Sequence, residues 1–298
     1  MLTKHQPTKK TRRKKFLRRG VAAGISLLIL MSSMIFATSA AEITFPANSA
    51  PTRVYLEGQE VLADECIIID SITYVPLRKF CNLFDTCKIT WNQSTATATV
   101  KTDDLTMTVR QNAVYITANG HYYYTVGKIL NLSGNLYVPI RPLAKAFAVE
   151  LDWNTALRCV ELTIPDSGVR AVKAASYNAD DVYWLSRIIY AEAGAEPFTG
   201  QMAVGNVVLN RLRHSSYPNT IYGVIFDRKH GTQFSPVAMG TIYKTPSTSA
   251  VIAAKICLEG YSISNSALFF VNPRIATNNW IQRNRPYAFT IGNHDFYN

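Results

Sequence analysis

With 298 residues, 48% hydrophobic and 17% charged, the chain can bury the core of one large or two modest domains, and its composition excludes bulk disorder. The formal charge of +11 would suit a nucleic-acid partner, but its placement argues against one. Lys4, Lys9, Lys10, Arg12, Arg13, Lys14, Lys15, Arg18 and Arg19 all precede the first acidic residue, Glu42. The remainder carries 22 basic against 20 acidic residues, so its body is nearly neutral and no nucleic-acid partner is expected.

The basic head runs into "VAAGISLLILMSSMIFA" and then "TSAAE". A positive stretch, an uncharged apolar run and small residues before a polar one form the pattern of a secretory signal, with cleavage after Ala40 or Ala41. An uncleaved anchor is the alternative, because the apolar run approaches bilayer-spanning length. Residues 1–41 are expected to be a signal peptide or N-terminal anchor, the one part that would touch a membrane. Either way the remainder is exported. No cysteine precedes Cys66, so no lipid anchor on an N-terminal cysteine is expected.

Two later stretches match each other: "ITYVPLRKFCNLFDTCKITWNQSTATATV" from Ile72 and "NLYVPIRPLAKAFAVELDWNTALRCVEL" from Asn135. Each reads as strand, short helix, strand, the proline ending the first strand and apolar positions following at helical spacing. Between them, alternating runs such as "LTMTV" and "AVYITANGHYYYTV" predict strands, with Asn119-Gly120 as a hairpin turn. Each unit needs its neighbour to cover its apolar face. This repeat resembles the copper amine oxidase-like N-terminal domain, a stalk module of exported bacterial proteins, over residues 50–163. Copper chemistry is not expected, since His121 is the lone histidine of the segment and copper sites want clustered imidazole or sulfur. A spacer or wall-binding role is. "HYYYT" could bind glycan, but edge-strand packing is the preferred reading. The five cysteines, Cys66, Cys81, Cys87, Cys159 and Cys257, form no CxxC; they leave room for one disulfide in the first half.

Residues 164–177, "IPDSGVRAVKAASY", lose periodicity and read as a linker. From 178 a mainly helical domain follows. Asn178 or Asp180 can cap its first helix, whose buried stripe is Val182, Leu185, Ile188 and Ile189. At about 100° per residue Glu192 falls on that same stripe, an acid where an apolar residue belongs. Desolvation there would raise its pKa and keep it protonated as a general acid, the group that glycosidic cleavage needs. A structural ion pair with an arginine is the competing reading. Gly194 and Pro197 end the helix, leaving Glu196 in the turn before a second helix from about Thr199. That helix should bury Ala203, Val204, Val207, Val208 and Leu212 on one broad face, with Gly205 allowing close approach.

"YAEAGAEPFTGQMAVGNVVLNRL", "YPNTIYGVIF", "QFSPV", "ALFFVNP" and "IGNHDFY" resemble the cell-wall hydrolase family that includes spore-cortex-lytic enzymes. The resemblance covers about 182–298 and implies a lysozyme-like domain within an α+β protein. It implies lytic transglycosylase activity on peptidoglycan, between N-acetylmuramic acid and N-acetylglucosamine, with Glu192 and Glu196 as the catalytic acids. Hydrolysis by two carboxylates, or a catalytically silent wall-binding protein, are the alternatives. The family's A-R-G-E-P is here Ala193, Gly194, Ala195, Glu196, Pro197, without the arginine. Gln233, Phe234, Ser235, Asn272, Trp280 and Tyr287 are candidates for sugar contact, and His294 for closing the fold. A Cys257–His294 peptidase is disfavoured because Cys257 lies in an apolar helical run. No HExxH occurs; no metal or cofactor is expected, and a monomer is.

Overall fold

The computed structural model describes residues 43–84, 87–166, 171–229 and 233–298. The basic head and apolar run, where the export segment is expected, lie outside the described residues. Among the described residues no helix is long and apolar enough to cross a membrane.

The first half is β-rich. Strands β1 (Ala50–Leu56), β2 (Gln59–Ile69) and β3 (Ile72–Pro76) lead into helix α1 (Leu77–Cys81). Five strands follow: β4 (Lys88–Asn92), β5 (Thr97–Lys101), β6 (Thr106–Arg110), β7 (Tyr115–Ala118) and β8 (His121–Tyr124). Then come β9 (Leu130–Leu132), β10 (Asn135–Pro139), helix α2 (Ile140–Ala146), β11 (Glu150–Asn154) and β12 (Cys159–Thr163). One sheet has the order β11-β12-β1-β2-β3-β10-β9, the other β4-β5-β6-β7-β8. Alternation sets the faces of the second: in β6, Met107 and Val109 are buried between more open threonines. The predicted Asn119-Gly120 turn joins β7 to β8, with both residues at positive φ (47° and 88°).

The two copies of the repeat meet back to back. β3 and β10 pair antiparallel, with Val75 opposite Val138 and each copy's tyrosine opposite the other's proline. Pro76 and Pro139 end their strands and occupy the N-cap positions of α1 and α2. The Asn of each Trp-Asn pair closes the next turn: Asn92 Oδ1 accepts from Ser94 N and Thr95 N, and Asn154 Oδ1 from Leu157 N. The halves share one core, with Val75, Val138, Phe80, Leu143 and Phe147 buried in it. No disulfide forms here, although one was allowed for. All five cysteines are thiols, and Cys66, Cys81 and Cys159 are instead buried in or beside this core.

The stretch read as a linker is tied down where it is described. Val172 N donates to Ala146 O, Ala175 N to Asn119 O, and Asn119 Nδ2 to Val172 O. The described residues all fall in one compact unit. The "HYYYT" strand packs, as preferred: Tyr124 lies 4.6 Å from Tyr261, and Tyr115, Tyr122 and Tyr124 border the core of the helical half.

That half contains α3 (Ala179–Ala193), α4 (Phe198–Arg213), α5 (Ile221–Phe226), α6 (Ser235–Ala238), α7 (Thr248–Leu258) and α8 (Trp280–Asn284). A small sheet that sequence reading did not anticipate is made of β13 (Phe269–Val271), β14 (Tyr287–Ile291) and β15 (His294–Tyr297), in the order β13-β15-β14. The protein is thus α+β, β-rich first and helical after. Helix α4 differs from the one-faced helix expected: every residue from Gly200 to Arg211 is buried. Its two asparagines are satisfied by backbone groups, which makes their burial tolerable. Asn206 bonds Tyr261 O and Ile263 N, and Asn210 bonds Ser264 O and Ala267 O. A Cβ on Gly205 would come within 2.9 Å of Ile189 Cδ1 and 3.0 Å of Cys257 Sγ, so this glycine sets the spacing of α3, α4 and α7.

Candidate active site

Asn178 caps α3, its side chain accepting from Asp180 N and Asp181 N. Leu185, Ile188 and Ile189 are fully buried, while Val182 is only half-buried. Glu192 follows on their stripe, near the end of the helix. Burial pushes its carboxyl up to about 7, with the Arg211 guanidinium pulling weakly the other way. No hydrogen bond or ion pair engages this carboxyl among the described residues. The ion-pair reading of Glu192 therefore does not describe it. It is a desolvated carboxyl with no hydrogen-bond partner.

Glu196 sits in the turn between α3 and α4 and is placed quite differently. Its Oε2 accepts from Asn293 N at 2.9 Å and its Oε1 from Asn293 Nδ2 at 3.0 Å. Burial pushes this carboxyl up, but these two bonds and the nearby His294 outweigh it and hold the group below the usual carboxylate range. Asn293 and Gly292 form the two-residue turn between β14 and β15, where Ile291 pairs with His294. Gly292 has φ 61°, and a Cβ there would lie 2.0 Å from Glu196 Oε2. Only glycine lets the turn approach the carboxylate this closely.

Behind the acids lies Arg211, 4% exposed. Its Nε donates to Leu268 O at 2.7 Å, and its guanidinium lies 5.0 Å from the ring of Phe234, 5.2 Å from Tyr217 and 5.4 Å from Phe269. A cation from α4 thus acts on Glu192. Phe234 is 2% exposed and belongs to this buried packing, so it presents no open face to a sugar. Ser235 is exposed at the start of α6, and Gln233 half-buried just before it. Asn272 folds its own chain, accepting from Arg274 N through Oδ1. Trp280 and Tyr287 are 51% and 58% exposed, open platforms beside the small sheet. His294 is buried against Phe270 at 5.3 Å, and burial holds its imidazole below its ordinary pKa despite Glu196 and Asp295. Cys257 is buried, its thiol pushed up to about 12, which removes it as a nucleophile at neutral pH.

Sequence reasoning missed Gly292, Asn293 and the location of Arg211. Gly-Asn between "YAFTI" and "HDFY" is a hairpin signal that could have located the turn, though not its contact with Glu196.

Residues 195–297 match the family described as Cell Wall Hydrolase, with Glu196 inside that span and Glu192 just before it. Residues 55–162 match the family described as Copper amine oxidase N-terminal domain. A spore cortex-lytic enzyme of Bacillus cereus is 39% identical over 120 residues, which is 40% of this chain and 45% of that protein. The spore cortex-lytic enzyme of Bacillus subtilis is 38% identical over 128 residues, 43% of this chain and 41% of that one. The chain thus spans less than half the length of these curated relatives. A solved structure, the catalytic domain of the germination-specific lytic transglycosylase SleB from Bacillus anthracis, is 38% identical and covers 41% of this chain and 98% of its own, with a TM-score of 0.38. The name of the first domain implies copper, but the donor set does not fit. Both ring nitrogens of His121 are engaged, Nδ1 with Glu259 Oε1 at 2.7 Å and Nε2 with Lys173 O at 2.9 Å. No group of three or more His, Cys, Asp or Glu side chains gathers around it or elsewhere among the described residues. The chain thus carries a stretch similar to the cell wall hydrolase family, residues 195–297, behind one similar to the copper amine oxidase N-terminal domain, residues 55–162.

Proposed function

We propose that the protein is an exported lytic transglycosylase that cleaves peptidoglycan between N-acetylmuramic acid and N-acetylglucosamine, with Glu192 as the single acid and base. The observation that carries this reading is the unlike state of the two carboxyls. One is desolvated, unbonded and pushed up to about 7; the other is hydrogen-bonded and held low. Such a divergence of two acids is how roles are assigned in glycoside cleavage. Glu192 gives its proton to the glycosidic oxygen as the bond from muramic C1 breaks. Its carboxylate then takes the proton of the muramic C6 hydroxyl as that oxygen closes on C1, leaving a 1,6-anhydro end and a neutral Glu192. Water is not consumed. Glu196 stays ionised and supports the cationic transition state.

Gln233, Ser235, Asn272, Trp280 and Tyr287 supply amides, hydroxyls and flat faces for the strand. Residues 1–41 act as the export segment, 50–163 as an accessory domain, and 178–298 as the catalytic domain of a monomer. The names of the relatives point to spore cortex as the peptidoglycan attacked.

The pH–rate profile tests this reading. Glu192 must start protonated, so activity falls as pH rises through about 7. Glu196 must be ionised, so activity also falls as pH drops below the ordinary carboxylate range. The alkaline limb should vanish in no variant that keeps Glu192. A rate that climbs steadily from pH 6 to pH 9 would contradict Glu192 as the acid.

A further inference from the structure

Each copy of the repeat builds a hollow at its strand–helix joint. The first, of about 140 Å³, is lined by Pro76, Arg78, Ile89 and Trp91 among others. The second, of about 670 Å³, is lined by Pro139, Arg141, Leu151 and Trp153, the counterparts of those four. Each is closed by the opposite copy's strand: Gly134–Leu136 in the first, Ser71–Thr73 in the second. Trp91 and Trp153 are 44% and 38% exposed, and Arg78 and Arg141 are exposed too. Packing requires neither a tryptophan nor an arginine at an open mouth, yet both copies keep the pair there.

The larger hollow is widened by its junction with the helical half. Tyr123 of β8 and Tyr261 beyond α7 add aromatic wall, and Lys145 and Arg158 add positive charge. Arg158 occupies the place of Ala96 in the first copy. Among the described residues the only carboxylate in the lining, Glu259, is occupied: it pairs with His121 and accepts from the Tyr177 hydroxyl. Arg141, Lys145 and Arg158 enter no ion pair among the described residues. Neither Glu192 nor Glu196 lines the hollow. Aromatic faces with uncompensated cations suit a ligand that has both an apolar sugar face and carboxylates.

We propose that the larger hollow is a second carbohydrate site. It holds a muramoyl-peptide unit, stacking the sugar on Trp153 and pairing the lactyl and peptide carboxylates with Arg141, Lys145 and Arg158. The accessory domain thereby holds the strand at a point separate from the one that is cut. This rests on peptidoglycan being the substrate.

The test uses the full-length chain and the soluble disaccharide N-acetylglucosaminyl–N-acetylmuramoyl tetrapeptide. That ligand lacks the scissile bond, so the result is independent of lysis by Glu192. In a Trp280→Phe background, which removes the groove tryptophan, titration should quench emission saturably, and the quench should be missing once Trp153→Phe is added. Arg141→Glu should weaken it about tenfold or more, the loss of one or more charged hydrogen bonds. Both side chains are exposed, so an unchanged Tm is expected and confirms folding in each variant. An identical quench in Trp153→Phe, or an Arg141→Glu curve that superposes on the wild type, would overturn the site. Equal binding of neutral chitotetraose, or displacement by a polyol phosphate polymer at lower concentration, would overturn its assignment to a muramoyl peptide.

Discussion

Glu192→Gln is expected to lower the lytic rate by about a hundred- to ten-thousand-fold while leaving the fold intact, because the amide keeps the shape but has no proton to transfer. The same change should not reduce stability above pH 7. A carboxyl whose folded pKa is raised to about 7 binds its proton more tightly in the folded state than in the unfolded chain. Its contribution is therefore most favourable below the unfolded value and is lost as pH rises through about 7. The amide is neutral throughout and escapes that loss. The folded variant should melt at or above the wild-type temperature at pH 8. Wild-type lysis in that variant would remove Glu192 from the chemistry.

Gly292→Ala is expected to be the most destabilising single-methyl change near the site. A left-handed conformation costs an alanine roughly 1–2 kcal/mol. The new Cβ would also stand 2.0 Å from Glu196 Oε2, so the carboxylate must leave and its two bonds to Asn293 break. Hydrogen bonds to a charged group contribute about 1.5–3 kcal/mol each, less where, as here, water can replace them. A total loss of about 3 kcal/mol corresponds to a fall in Tm of roughly 6–12 °C for a chain of this size. Adding Glu196→Ala should relieve the collision, so the glycine substitution costs less in that background than in the wild type. Strictly additive losses would mean that the turn and the carboxylate are not coupled.

The elements legible from sequence were those governed by local rules. The repeat was visible because the same proline, arginine and tryptophan recur, and the fold places Val75 opposite Val138 as two copies of one unit would. Glu192 was visible because an acid interrupts a helical stripe, and its desolvation follows from that stripe being buried. What sequence did not show depends on contacts between distant segments. Asn293 lies 97 positions from Glu196, and no periodicity links a hairpin turn to a helix–helix turn. The burial of α4 on all sides was missed for a related reason. Asn206 and Asn210 look solvent-facing until Tyr261, Ser264 and Ala267 are found offering their carbonyls. Phe234 was read as a sugar platform from its motif, whereas Arg211 claims its ring from inside.

Glu196 separates the two ways of cutting a glycan strand. If it only stabilises charge, Glu196→Gln slows the reaction modestly; if it activated water, the loss would approach that of Glu192→Gln. The hydrogen bonds from Asn293 make it a weak base, which favours the first outcome. The most direct measurement is mass spectrometry of the muropeptides released from purified peptidoglycan, with and without borohydride. Attack by the C6 oxygen predicts ends lighter by one water that borohydride leaves unchanged. Muramic ends that are predominantly reducible would show that water had attacked, and Glu192 would not then be working alone.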